Sequence, residues 1–240
     1  MTPQQLLAAL DGRLGPDAAR WLAGALARIA RDPMAIRVLF PAAGRRCGRD
    51  PLETSDPGLH GWTVDDAVRG LMLAALPLRG DELAEETAAL YRYGDTAERR
   101  GVLRALALLD ARAGLGDRGL PIVRDALRTD DPRLVAVALG PYAAQRLDPP
   151  SYRQGVLKCL LLGIPLAEVH GLRERADPPL ARMLADFVHE RLLAGQEVPP
   201  EVWSLLDAYP GVPEASDAPD PGEAAQRPLV APAEDHGTRG

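Results

Sequence analysis

The chain has 240 residues, a formal net charge of −6, 46% apolar residues and only 4% aromatic ones. That length holds one core or at most two, and the dominance of Ala and Leu over Val, Ile and Thr argues against sheet and for an all-α protein. Six acids and two arginines put −4 on residues 209–240 and leave −2 on residues 1–208, where Arg and Asp/Glu are interspersed, so no basic face for nucleic acid is implied.

Cys47 and Cys159 are the only cysteines, too few and too far apart for a disulfide framework or a zinc site. The opening Met1-Thr2-Pro3-Gln4-Gln5 lacks the basic stretch of a signal peptide, and no apolar run approaches the ~20 residues that span a bilayer. The expectation is a soluble, cytoplasmic protein without metal or cofactor. The heavy use of Arg and Ala suggests a GC-rich bacterial source.

Helix starts are marked by Asp or Thr before proline, because proline is tolerated at the first helical position and the preceding side chain caps free N–H groups. Thr2-Pro3, Asp32-Pro33, Asp131-Pro132, Asp148-Pro149 and Asp177-Pro178 fit this pattern, and Pro199-Pro200 opens one more short helix. In chain order the predicted helices are 2–13, 16–31, 33–43, 63–75, 80–93, 95–112, 118–128, 132–146, 150–162, 165–171, 178–194 and 200–207. Gly44–Gly61, rich in Gly, Pro and Arg, is predicted to be a long loop. The other connections are short, so neighbouring helices are expected to pack as antiparallel pairs. No fixed-period repeat is readable. Two arrangements fit, an irregular compact multi-helix domain and a HEAT/armadillo-like α-α superhelix. A single domain over 1–208 is expected, followed by a disordered, acidic, Pro/Ala-rich tail over 209–240.

Three groups of residues carry candidate chemistry. Arg45 and Arg49 lie in the loop with Trp62 shortly after; arginine forks bind carboxylates and phosphates, and an indole stacks on flat ligands. The same arginines can instead fasten the loop to nearby helices. Lys158 is the chain's only lysine, in an apolar helix, with Gln154 one turn and Ser151 two turns before it. It must snorkel to water, pair with a carboxylate or touch a ligand.

Asp186, His189 and Glu190 share a face of helix 178–194, opposite the apolar stripe Leu180, Met183, Leu184, Phe187, Val188 and Leu192. His189-Glu190 begins like the zinc-protease helix motif, but that motif needs a second histidine where Leu193 stands. A weak metal site, acid–base work or a solvated polar face remain. No Gly-rich phosphate loop, nucleophile elbow or nucleophile–base set is present.

Residues 126–206 resemble the EboA family. The matching words are Tyr152-Arg153-Gln154-Gly155-Val156-Leu157-Lys158, Gly163-Ile164-Pro165-Leu166, Gly171-Leu172-Arg173-Glu174-Arg175-Ala176 and Leu180 through Arg191, ending near Trp203. Arg45 through Leu52, and Trp62 with Asp65, Asp66 and Arg69, match the N-terminal half more thinly. The chain departs from the family at Gly140-Pro141-Tyr142-Ala143, where an Asn-Pro-Tyr-Pro-like word is expected, and at Asp130 or Asp131, where an asparagine is usual.

The resemblance implies a soluble, non-catalytic accessory of a secondary-metabolite precursor export pathway, acting by binding a metabolite or a pathway partner. The implied partners are the metabolite itself and other products of the same gene cluster, a UbiA-like membrane prenyltransferase and TIM-barrel enzymes. These could hold the chain at the periphery of the inner membrane. Lys158, Gln154, His189, Glu190, Arg173, Arg45, Arg49 and Trp62 are the candidate contacts. The alternatives are an isomerase- or hydrolase-type enzyme using Lys158, His189 or Glu190, and a HEAT-like docking scaffold.

Overall fold

The computed structural model describes residues 1–211. It is all-α among those residues: α1 (Pro3–Leu10), α2 (Pro16–Arg31), α3 (Ile36–Leu39), α4 (Ala43–Cys47), α5 (Val64–Ala75), α6 (Gly80–Tyr93), α7 (Thr96–Ala113), α8 (Leu120–Arg128), α9 (Pro132–Ala138), α10 (Pro141–Arg146), α11 (Pro149–Leu161), α12 (Leu172–Arg175), α13 (Pro178–Leu193) and α14 (Pro200–Leu206). The chain forms two compact units, Met1–Arg175 and a second beginning at Ala176. No described helix is long and apolar enough to cross a membrane. The disorder expected for the tail falls almost wholly outside the described residues. At its start, the Tyr209 hydroxyl donates to the Ala176 carbonyl at 2.6 Å.

The Asp/Thr-Pro starts cap their helices as the chemistry requires. The side chains of Thr2, Asp32, Asp131, Asp148 and Asp177 accept from the backbone N–H of Gln5, Met34, Arg133, Ser151 and Leu180, respectively. Each satisfies a donor that would otherwise have no intrahelical partner.

Three predicted helices differ from what forms. The helix expected over 33–43 is a run of short 3₁₀ and α turns, because Pro33 and Pro41 each remove an N–H. That run continues to Cys47, where Gly48 (φ +92°) ends it. The helix expected over 132–146 is two helices: Pro141 has no N–H to continue the ladder and instead opens α10. Over 165–171 only a 3₁₀ turn forms, at Leu166–Glu168, and α12 follows it. The predicted 44–61 loop begins later, after α4, and is pinned as a narrow hairpin. Leu52 N–H donates to Trp62 O at 2.8 Å and Val64 N–H to Asp50 O at 2.9 Å.

The first unit is built round α5. Every residue from Val64 to Ala74 is buried, with α1, α2 and α4 packed against the helix as well as α7, its most extensive neighbour. The α5–α7 contact is close because α7 presents Gly101 to Arg69: a Cβ built on Gly101 would lie 2.7 Å from Arg69 Cδ and 3.2 Å from its Cβ. In an ordinary helix interior, Ala is favoured over Gly by about 1 kcal/mol. Here the methyl has no room. Gly101→Ala is expected to lower stability by about 1–3 kcal/mol, the range for overpacked cores, measured as a shift in the urea midpoint with an unchanged slope.

Candidate functional site

Asp65 and Arg69 are one helical turn apart on α5, so they share a face, and both side chains are 0% exposed. Arg69 Nη1 donates to Asp65 Oδ2. Thr63 Oγ1 donates to Asp65 Oδ1 and accepts from Arg100 Nη2 at 2.8 Å. Asp66, also fully buried, takes Arg100 Nε at 3.0 and 3.1 Å and lies 3.1 Å from Arg104 Nε. Arg100 and Arg104 come from α7, one turn apart. The cluster thus sets three guanidiniums against two carboxylates. It is also short of acceptors: Arg69 Nε, Arg69 Nη2 and Arg104 Nε are buried with no hydrogen-bond partner among the described residues.

Arg104 is the member of this cluster that reaches open space. Its Nη2 donates to the Gly61 carbonyl and its Cζ sits 5.4 Å from the centroid of the Trp62 ring. Burial holds its pKa below the usual arginine range, with the Asp66 charge opposing that shift; an arginine stays protonated regardless. Trp62 and Arg104 border a cleft of about 370 Å³.

The other walls of the cleft are mostly apolar. Leu103 and Ala107 of α7, Val123 of α8 and the α9–α10 junction from Ala136 to Ala143 supply them, and His60, Glu168 and His170 stand at exposed positions around it. Two hydroxyls fix the walls. Tyr142 OH donates to Gly116 O and accepts from Gly119 N–H at 3.0 Å; burial pushes this phenol up to about 12. Tyr152 OH donates to His170 O at 2.8 Å, while His170 N–H donates to Leu139 O at 3.0 Å.

A second, smaller cavity of about 290 Å³ lies between α8 and α11 and is lined by Arg124, Leu127, Arg128, Ser151, Gln154, Gly155 and Lys158. Lys158 Nζ pairs with Asp130 Oδ1 at 3.1 Å; the lysine side chain is 24% exposed and the aspartate 91%. Arg124 Nη2 pairs with Asp148 Oδ1 at 2.9 Å.

The family model described as metabolite traffic protein EboA matches residues 3–207. The chain belongs to the EboA family. No curated protein and no solved structure matches it. At family level this is a metabolite-traffic protein, and its fold places the EboA-like words in distinct roles.

Tyr152 and Arg175 are structural. Arg175 lies over the Tyr152 ring at 4.1 Å and donates to the carbonyls of Ala143, Ala144 and Leu147 at the end of α10, where free carbonyls favour a cation. Arg173, two residues earlier, is exposed. Gln154 and Lys158 share the α8–α11 cavity. Trp62 lies at the larger cleft. Arg45 and Arg49 are exposed on and after α4. Arg49 lies against α4, since a Cβ on Gly44 would sit 2.6 Å from its Nε. The charge of Arg45 reaches Glu98, whose carboxyl burial raises above its usual range.

His189 and Glu190 belong to α13 of the second unit, His189 half-buried and Glu190 exposed. Among the described residues, no group of three or more His, Cys, Asp or Glu is placed to hold a metal ion.

Sequence reasoning missed Arg100, Arg104, Tyr142, Glu168, His60 and His170 as site residues. A signal existed for the first two: they stand one turn apart in α7, among the buried Val102, Leu103, Ala105 and Leu106.

Two outcomes follow for the smaller cavity. Lys158→Met is expected to change stability by no more than about 1 kcal/mol, because its partner is solvent-exposed. Asp148→Ala is expected to cost about 1 kcal/mol at pH 7 through loss of the α11 cap. Hydrogen bonds from Arg124 and Ser151 hold the Asp148 carboxyl below the usual carboxylate range. Its contribution is therefore full above the unfolded pKa of about 4 and is lost as pH falls through the lower native value. Urea unfolding of both proteins from pH 7 to pH 3 should show the Asp148→Ala difference shrinking only at the acid end.

Proposed function

We propose that this EboA-family protein acts by binding a small metabolite in the cleft bordered by Trp62, Arg104 and the α9–α10 junction, as a non-catalytic accessory in the traffic of a secondary-metabolite precursor. The observation that carries this reading is the form of the cleft. Its volume of about 370 Å³ falls within the ~300–1,000 Å³ of small-molecule sites, which are mostly apolar with a few placed polar groups. The polar groups here are a largely buried guanidinium and three exposed side chains, His60 from the loop before α5 and Glu168 and His170 from the segment before α12.

The walls are held by backbone and hydroxyl hydrogen bonds, so the cleft is formed before a ligand arrives and little ordering cost opposes binding. The partners that deliver or receive the metabolite are proposed to be products of the same gene cluster, among them the UbiA-like membrane prenyltransferase. With no described helix able to cross a membrane, contact with that enzyme would be made through the surface of this chain.

The test uses Ala167→Trp. Ala167 is an exposed lining residue on the 3₁₀ turn, so an indole there fills the cleft without entering the core. Native mass spectrometry of the wild-type protein, purified from cells that make the metabolite, is expected to show an added small-molecule mass. The Ala167→Trp protein should lose that mass while melting within a few degrees of wild type. Retention of the same mass by Ala167→Trp would place the ligand elsewhere.

A further inference from the structure

The α5–α7 cluster carries information about the ligand itself. Three arginines face two aspartates. Asp65 is engaged by Arg69 and lies 3.7 Å from Arg100, and Asp66 is shared by Arg100 and Arg104. Within these five residues one positive charge is left over, with the Glu98 charge acting on Arg69 and the Glu168 charge on Arg104 from outside. It is not spread evenly, because Arg69 is sealed in the core at 0% exposure and Arg104 is the arginine that lines the cleft.

Arg104 has donors to spare. Of its five N–H bonds, one is used on Gly61 O. Its Nε lies at ion-pair distance from Asp66 but has no hydrogen-bond partner. No described residue accepts from its Nη1. The Nε direction is taken up by Asp66, so the donors open to a ligand are those of Nη1 and the second N–H of Nη2. The other charged or titratable groups around the cleft are the Met1 amino terminus, His60, Tyr142, Glu168 and His170. Glu168 opposes an anion in the cleft, and its charge reaches Arg104, but it is exposed and forms no ion pair with Arg104 within 4 Å, so it leaves the guanidinium's N–H groups open. The guanidinium is screened less, because only 14% of its side chain is exposed.

We propose that the ligand of this cleft is an organic acid: an apolar body lying against the Trp62 and α9–α10 walls, with a carboxylate or phosphate head seated on Arg104. The assignment rests on the cleft being the binding site. A planar guanidinium with two unused N–H directions matches the paired oxygens of either head. The apolar walls give such a body little reason to prefer water. Arg104 is then a specificity residue. It selects acids over their neutral counterparts, and the Asp66 carboxylate beside Nε orients its fork toward the cleft.

Three naphthalene probes of nearly equal body test this: 2-naphthoate, neutral 2-naphthamide and 2-naphthyl phosphate, titrated into the full chain by calorimetry at moderate salt. For the wild-type protein, at least one of the two acids is expected to bind tenfold or more tighter than the amide. The tighter acid identifies the head group. Arg104→Gln should bring acid and amide within about twofold of each other, Arg104→Lys should keep part of the preference, and Ala167→Trp should abolish binding of all three.

Equal binding of acids and amide to wild type, still blocked by Ala167→Trp, would overturn the acidic ligand while leaving the cleft as the site. No binding of any probe, or binding that Ala167→Trp does not touch, would overturn the cleft reading and this inference with it. The wild-type comparison alone decides the point if Arg104→Gln fails to fold.

Discussion

Three arginines and two aspartates, placed where α5 meets α7, constrain much of the first unit. A buried ion pair is seldom the most stable filling for a core, and well-packed apolar residues of similar volume often serve as well or better. Asp65 and Arg69 are fully buried nonetheless, so their value lies in what they fix. Arg69 lies beneath Gly101 and 5.5 Å from the Phe40 ring centroid, tying α5 to α7 and to the turns after α2. Arg100 and Arg104 hold Asp66, Thr63 and Gly61, tying α7 to the end of the hairpin loop. A directional network of this kind specifies one register between the helices, which apolar packing alone leaves looser.

The hairpin loop shows how that constraint reaches the cleft. Its backbone bonds, Leu52 to Trp62 and Val64 to Asp50, bring the strand-like ends together and set Trp62 immediately before α5. The indole is then sandwiched into place: it is 5% exposed, with Arg104 over its ring and the cleft beside it. The opposite wall is set independently, by the Pro141 break and by the Tyr142 and Tyr152 hydroxyls. A cavity walled by separately anchored elements resists collapse, because closing it would break hydrogen bonds on both sides without compensation.

Much of this fold was legible in the sequence because it is written locally. Caps such as Asp32, Asp131 and Asp148 act within three residues of themselves, and the apolar stripe of α13 is a periodicity within one helix. The misses at 33–43 and 132–146 were also local. Each contains a proline whose missing N–H breaks a ladder, Pro41 in the first and Pro141 in the second. The site was less legible for a different reason. Trp62 stood out by residue type, but Arg104 acquires its meaning from Asp66, thirty-eight positions earlier, and from Gly61. Nothing in the residues around Arg104 states that pairing. Arg175 is the same case: its work is done on carbonyls about thirty residues back.

Lys158 and Arg104 make the contrast between rarity and environment. Lys158 is conspicuous as the only lysine of the chain, yet its amine meets an aspartate that is 91% exposed, in a setting where ion pairs contribute little. Arg104 is one arginine among many. Its guanidinium is mostly withdrawn from water, shares its carboxylate with a second arginine and keeps donors without acceptors. Rarity in composition reflects the alphabet the organism favours. A free-energy cost left uncompensated in the folded chain reflects what the fold is built to receive, and it is Arg104, not Lys158, that carries such a cost at the edge of a cavity of ligand size.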